Sequence, residues 1–308
     1  MKWTKLGLIF CASGQNEWMV TGGRAPVPLY LGDDCFRIYF ASYDNSGRGR
    51  VFSLELDISY PERISNLVTT PIIDLGRVGF FDDNGIIPSC VLNVDESLYL
   101  YTIGFSIKNR IIFDAATGLA VSRDGGKSFN KFSGSVIDRG VDDPCFATSP
   151  SVIREDDQWR MWYVSCDRWE STGKGYKHYY NIKHRTSQDG IYWNPQATVC
   201  IDYANEYEYA VSRPSVIKDI DGLYRMWYSF RAQHNIETYR IGYAESKDGL
   251  SWTRKDDEMS SFNVSKDGWD SEMICYPYIF EHRGRLYMLY NGNGYGKTGF
   301  GLAILEDE

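Results

Sequence analysis

Pro150-Ser151-Val152-Ile153, a polar turn, and then Arg160-Met161-Trp162-Tyr163 form a unit that the chain repeats. The next copy runs from Pro214-Ser215-Val216-Ile217 to Arg225-Met226-Trp227-Tyr228. Working outward, further copies begin at Pro28, Pro88 and Pro277. Their strands are Arg37-Ile38-Tyr39-Phe40, Leu98-Tyr99-Leu100-Tyr101 and Arg285-Leu286-Tyr287-Met288-Leu289-Tyr290. The intervals are 60, 62, 64 and 63 residues. Aromatic and β-branched residues fit the pleated, half-buried surface of a sheet, and the turn residues between them mark strand ends. A fixed period of this length is the mark of a repeat architecture.

A third strand in three copies ends in one kind of turn. It reads Ser122-Arg123-Asp124-Gly125-Gly126-Lys127-Ser128-Phe129, Ser187-Gln188-Asp189-Gly190-Ile191-Tyr192-Trp193 and Ser246-Lys247-Asp248-Gly249-Leu250-Ser251-Trp252. Asp-Gly supplies the left-handed backbone of a tight turn, and the closing aromatic packs back on the sheet. This Asp-box pattern reads as a structural staple rather than a ligand site. With no long 3.6-period segment, the units predict an all-β, five-bladed β-propeller. Each blade has about four antiparallel strands, and residues 1–308 form a single domain. A sixth copy, needed for six blades, is absent.

Composition narrows the function. The chain has 308 residues and a formal charge of −8, with 47 aromatic residues made up of 9 Trp, 23 Tyr and 15 Phe. The acidic balance gives no basic stripe for nucleic acid or an anionic membrane surface. No apolar run is long enough to span a membrane. Cys11, Cys35, Cys90, Cys145, Cys166, Cys200 and Cys275 are odd in number and lack metal spacing, which fits a reduced, cytoplasmic protein. Met1 to Lys5 followed by Leu6 to Ala12 resembles a signal peptide but lacks a small-x-small cleavage site, so it reads as a first strand. His178, His184, His234 and His282 form no metal pair, so neither a metal nor a cofactor is expected.

In a propeller the inner strands line a central channel, so residues just ahead of each repeated Pro converge at one end. These include Arg24, Asp83 and Asn84, Asp143 and Thr148-Ser149, Glu208 and Arg213, and Asp270, Glu272 and Tyr276. Glycoside chemistry needs two carboxyl groups flanking the scissile bond, one protonated and one not. Asp83 and Glu272 are the first candidates for catalysis, followed by Glu208 and Asp143. Asp82, Asp142 and Asp270 read equally as site acids or as loop caps and partners of arginine, and Arg24, Asn84 and Asp270 are candidates for substrate binding. Arg213 and Arg231 are candidates to fork onto a ligand carboxylate or phosphate, or to neutralise Glu208 or Asp143. Trp169, Tyr180, Tyr276, Asn291, Asn293 and Tyr295 suit a sugar, rings stacking on its apolar face and amides bonding its hydroxyls. Asn291-Gly292-Asn293-Gly294-Tyr295-Gly296 holds too many glycines for a strand interior and marks a close backbone approach.

The period, the inner-strand carboxylates and the Asp-Gly turns resemble the five-bladed propeller glycosidase superfamily around glycoside hydrolase families 43, 32, 62, 68, 117 and 130. Several strings resemble a branch associated with surface-polysaccharide biosynthesis. They are Trp3-Thr4-Lys5-Leu6-Gly7-Leu8-Ile9-Phe10, Phe81-Asp82-Asp83-Asn84-Gly85, Trp269-Asp270-Ser271-Glu272-Met273-Ile274, and Tyr290 to Gly296 with Thr298-Gly299-Phe300-Gly301. The resemblance implies a sugar site at the propeller mouth and a glycosidase-like enzyme. Its ligand would be a sugar or glycan, in a biosynthetic setting nucleotide- or lipid-linked. That superfamily places a carboxylate on the first blade, whereas Gly22-Gly23-Arg24-Ala25-Pro26 carries none. The catalytic pair therefore sits on other blades, or the scaffold performs phosphorolysis, another biosynthetic sugar modification, or sugar binding without catalysis.

Overall fold

A computed structural model of the chain describes residues 1–155, 158–173, 175–234 and 236–306. Strand β1 (Trp3–Phe10) and the short β2 (Ala12–Ser13) precede a run of antiparallel meanders. The first is β3 (Thr21–Gly32), β4 (Cys35–Tyr43), β5 (Gly49–Asp57) and β6 (Ile64–Ile73). The second is β7 (Gly85–Val94), β8 (Ser97–Ser106), β9 (Asp114–Ser122) and the short β10 (Asn130–Lys131). The third is β11 (Phe146–Glu155), β12 (Gln158–Thr172), β13 (Gly175–Ser187) and β14 (Thr198–Ile201). The fourth is β15 (Glu208–Lys218), β16 (Tyr224–Ala232), β17 (Ile236–Ser246) and β18 (Thr253–Arg254). The fifth is β19 (Cys275–His282), β20 (Arg285–Asn291) and β21 (Phe300–Leu305), completed by β1, which pairs with β21. The N-terminal stretch is thus a strand, as its sequence suggests.

Each meander is apolar on both faces, so it buries them against its neighbours. Val27, Leu29 and Tyr39 of the first meet Ile86, Leu98 and Leu100 of the second. Cys90, Tyr101 and Leu119 meet Trp159, Met161 and Tyr163. Trp162 and Ile182 meet Val211, Val216 and Met226. Trp227, Ile241 and Tyr243 meet Ile279, Met288 and Trp3. Phe10, Leu289, Phe300 and Leu302 then return to Phe36, Phe40 and Phe52 of the first meander.

The three Asp-Gly turns are staples, and they reach beyond their own meander. Asp124 Oδ1 accepts from the amides of Lys127 and Ser128, while Ser122 Oγ accepts from Gly126 N. Asp189 with Ser187, and Asp248 with Ser246, repeat the arrangement. The buried turn glycine carbonyl then receives a donor from the preceding meander. Tyr39 donates to Gly126 O at 2.8 Å, Tyr101 to Gly190 O at 2.7 Å and Trp162 Nε1 to Gly249 O at 2.8 Å.

Each innermost strand carries a β-bulge, and here the expected frame of the repeat needs correction. The bulges fall at Ala25-Pro26, Ser149-Pro150, Arg213-Pro214 and Tyr276-Pro277, and at Ser89 in the second meander. The residue before the bulge proline is left-handed, with φ of 55° at Ala25, 53° at Ser149, 52° at Arg213 and 58° at Tyr276. Pro26, not Pro28, is therefore the first-meander equivalent, and Pro88 lies two positions ahead of the place held by Pro150. Proline lacks the amide donor, so a bulge is where an inner strand tolerates it.

Candidate functional site

The bulges re-aim side chains into one cavity of about 320 Å³. Its walls take residues from all five meanders: Arg24 and Tyr43, Ile87 and Phe105, Ser149 and His178, Arg213 and Arg231, Tyr276 and Tyr295. The volume lies at the lower end of small-molecule sites, about 300–1,000 Å³. Ser149, Arg213 and Tyr276, each directly ahead of a bulge proline, line the cavity, whereas Ala25 does not.

Three arginines dominate the lining. Arg213 is 4% exposed and donates to Pro88 O across the molecule at 3.0 Å. Burial without a carboxylate pulls its guanidinium down to about 10. Arg24 stacks on Tyr43 with its guanidinium carbon 4.2 Å from the ring centre. Arg231 lies between the Tyr209 and Tyr239 rings, at 5.0 and 4.8 Å, and donates to Tyr295 Oη at 2.9 Å and Tyr180 Oη at 3.3 Å. The Tyr180 and Tyr239 hydroxyls also hydrogen-bond to each other. His178 stacks on Tyr180, and burial, aided by the Arg231 charge, lowers its imidazole to about 4. It is therefore neutral at physiological pH.

The acids are elsewhere. Among the described residues, none lining the cavity is Asp or Glu. Asp143 is fully buried, paired with Arg185 and accepting from Tyr163 Oη at 3.0 Å. Glu208 is gripped by both terminal nitrogens of Arg254, at 2.6 and 2.9 Å. Asp270 pairs with Lys5 at 2.6 Å and accepts from Tyr290 Oη at 3.1 Å. Asp82 pairs with Lys131 at 2.6 Å. The expected meeting of carboxylates from four blades in the funnel is not what lines it, because burial has turned these acids into ion-pair partners. Asp83 is half-buried and accepts from Gly79 N at 2.8 Å, and Glu272 is exposed.

The remaining candidates divide in the same way. Arg24, Tyr180, Arg213, Arg231 and Tyr276 line the cavity. Trp169 packs behind it against Phe113 and His178. Asn84 is half-buried outside the lining, its amide bonded to Phe105 O. Asn291 is fully buried, accepting from Ala25 N and donating to Gly23 O and Gly299 O. Asn293 bonds the Glu272 and Met273 amides and the Gly268 carbonyl. Both amides are framework pins rather than ligand contacts. The glycines around them do make close approaches, but to the chain itself: a Cβ on Gly292 would lie 2.3 Å from Trp269 O, and one on Gly299 2.3 Å from Phe10 O.

Tyr43, His178, Tyr239 and Ser212 are lining residues that the sequence candidates omit. Tyr239 follows Tyr180 by 59 residues at the same place on the third strand, so the repeat period itself carried that signal.

No protein-family model matches the chain. Among solved structures it resembles a glycoside hydrolase with TM-score 0.69 and 16% identity, over 97% of this chain and 90% of the other. It also resembles a thermostable family-43 glycoside hydrolase, with TM-score 0.64 and 16% identity over 96% and 93% of the two chains. A family-32 β-fructofuranosidase of Bombyx mori gives TM-score 0.62 at 13% identity, covering 97% of this chain and 62% of that one. The fold is that of the β-propeller glycoside hydrolases of family 43 and 32 type. Within it, the chain is 37% identical over all 308 residues to two uncharacterized Mycobacterium tuberculosis proteins, MT1551 of strain CDC 1551 and Rv1502 of strain H37Rv, and covers 100% of each. The chain belongs to their family.

Proposed function

We propose that the protein is a carbohydrate-active enzyme that holds a glycosyl group in the central cavity and acts on its glycosidic linkage. The observation that carries this reading is the lining itself. Tyr43, Tyr180, Tyr239, Tyr276 and Tyr295 surround a space of monosaccharide scale, offering ring faces for the apolar side of a sugar and hydroxyls for its edge. In this reading the five meanders are the five blades of one domain spanning residues 1–308. The setting is a cytoplasmic step of surface-polysaccharide biosynthesis, with a nucleotide- or lipid-linked sugar as substrate.

Asp83 and Glu272 are assigned the acid and base roles, because they alone of the four catalytic candidates are free of an ion pair among the described residues. Both stand outside the cavity lining. The test is turnover of glycosides and sugar nucleotides, followed by mass spectrometry. Asp83→Asn and Glu272→Gln are each expected to lower kcat by about 10²–10⁴-fold, the usual contribution of a general acid or base. Full activity in both variants would remove the assignment.

The absence of carboxylates from the described lining favours a second reading, a sugar-binding protein of the same pathway. It predicts saturable binding with no product at any enzyme concentration.

A further inference from the structure

Buried charges in this molecule are paired almost everywhere. Asp143 with Arg185, Glu208 with Arg254, Asp270 with Lys5, Asp82 with Lys131 and Asp44 with Arg50 all form ion pairs. The cavity breaks that rule. Arg24, Arg213 and Arg231 have no carboxylate partner among the described residues, although Arg213 is almost wholly buried. Each also has a buried nitrogen with no hydrogen-bond acceptor among the described residues: Nε of Arg24, Nη1 of Arg213 and Nε of Arg231. Thr148 Oγ1 and His178 Nδ1, in the same lining, likewise find no partner among the described residues. Folding leaves buried polar atoms unpaired at a cost, and such groups clustered on one cavity call for acceptors inside it, from a bound anion or from ordered water.

The three guanidinium groups come from the first and fourth meanders yet converge. All three act electrostatically on one fully buried thiol, that of Cys275, each opposing the upward push of burial. Their approach is fixed before any ligand arrives. Arg213 is left-handed at its bulge, Arg24 is held by the Tyr43 ring, and Arg231 by two rings and two phenol oxygens. Forked donors on rigid supports match the planar or tetrahedral oxygens of a carboxylate or phosphate.

We propose that the cavity is an oxyanion site, and that the glycosyl ligand it takes carries a phosphate or carboxylate group held jointly by Arg24, Arg213 and Arg231. This rests on the carbohydrate reading above and narrows it to anionic sugars.

Calorimetry on the full chain at low salt tests it with four probes: glucose, glucose 1-phosphate, glucuronate and inorganic phosphate. We expect an anionic sugar to bind at least tenfold more tightly than glucose, with affinity falling as salt rises. Arg24→Gln and Arg231→Gln are each expected to erase that advantage while keeping the wild-type melting profile. Arg24→Lys, which keeps the charge, retains part of it. Equal affinity for glucose and its anionic relatives overturns the oxyanion site and leaves the carbohydrate reading standing. Arginine-dependent phosphate binding as tight as that of glucose 1-phosphate makes free phosphate the anion, which overturns the sugar-borne group. Arginine-dependent phosphate binding with no sugar binding at all overturns the carbohydrate reading instead. Failure of all four probes overturns the inference.

Discussion

Asn291 and Arg213 show how one residue type serves framework or site according to its surroundings. Both sit on strands and are buried, and both read from sequence as ligand contacts. Asn291 has every side-chain polar atom bonded to backbone, whereas Arg213 Nη1 has no partner among the described residues. Hydrogen-bond accounting separates them, and no sequence spacing does. His184 makes the same point for titration. It is 5% exposed and its Nε2 accepts from Arg160 Nε at 3.2 Å, which requires a neutral ring. Burial, with Arg160 second, lowers it to about 4. Below about pH 6.5 the unfolded chain takes up a proton that the folded His184 refuses, so stability falls with acidification from pH 7 toward pH 4. His178 shifts in the same direction. Urea titrations should show about 2 kcal/mol lost at pH 5 on account of His184. His184→Gln should flatten that dependence, and an unchanged slope would remove His184 as its source.

At the scale of elements, the Asp-Gly turns and the proline bulges divide the labour. The turns lock neighbouring meanders together, and the bulges aim side chains inward. The turn sequence is legible because a short carboxylate and a left-handed glycine satisfy the same local backbone donors wherever they occur. What the local pattern hides is the second partner, a phenol or indole some 87 to 89 residues away. Gly190 carries this double demand. Its φ is 74°, and a Cβ there would lie 2.8 Å from Tyr101 Oη and Trp159. Gly190→Ala is therefore expected to cost about 2–3 kcal/mol, from backbone strain plus overpacking. Gly125→Ala, also left-handed but with open space around its Cβ position, should cost about 1 kcal/mol. Equal losses in thermal melts would show that packing at Gly190 plays no part. The bulges were harder to place from sequence. Pro28 and Pro88 mimic the repeat, and only strand register reveals that Ala25-Pro26 and Ser89 hold the bulged positions.

At the scale of the whole molecule, the chain closes on itself through β1 and β21. Lys5 on β1 pairs with Asp270, 265 residues away, and Asp270 is 2% exposed. Removing one partner of such a pair leaves a buried charge uncompensated, at about 3–5 kcal/mol. Lys5→Met is expected to destabilise by about that amount, with most of the loss recovered in the Lys5→Met, Asp270→Asn double variant. Recovery below about 1 kcal/mol would mean that Lys5 acts through packing on Phe262 and Tyr290 rather than through charge.

The sequence by itself determined the strands, their turns and their repetition, because these follow from local propensity and from a period that every copy restates. It also placed Arg24, Ser149, Arg213 and Tyr276 at one end of the inner strands, since position relative to a proline is a local property. Only the tertiary structure decided which charges find partners. Asp143, Glu208 and Asp270 look in sequence like Arg24 and Arg213, which face the cavity: charged residues near a repeated proline. They differ in what distant strands bring against them. Arg185, Arg254 and Lys5 neutralise the acids, and no described carboxylate reaches Arg24, Arg213 or Arg231. Pairing depends on contacts across meanders, which no single repeat encodes. The acidic chain of the composition therefore folds around a cationic centre.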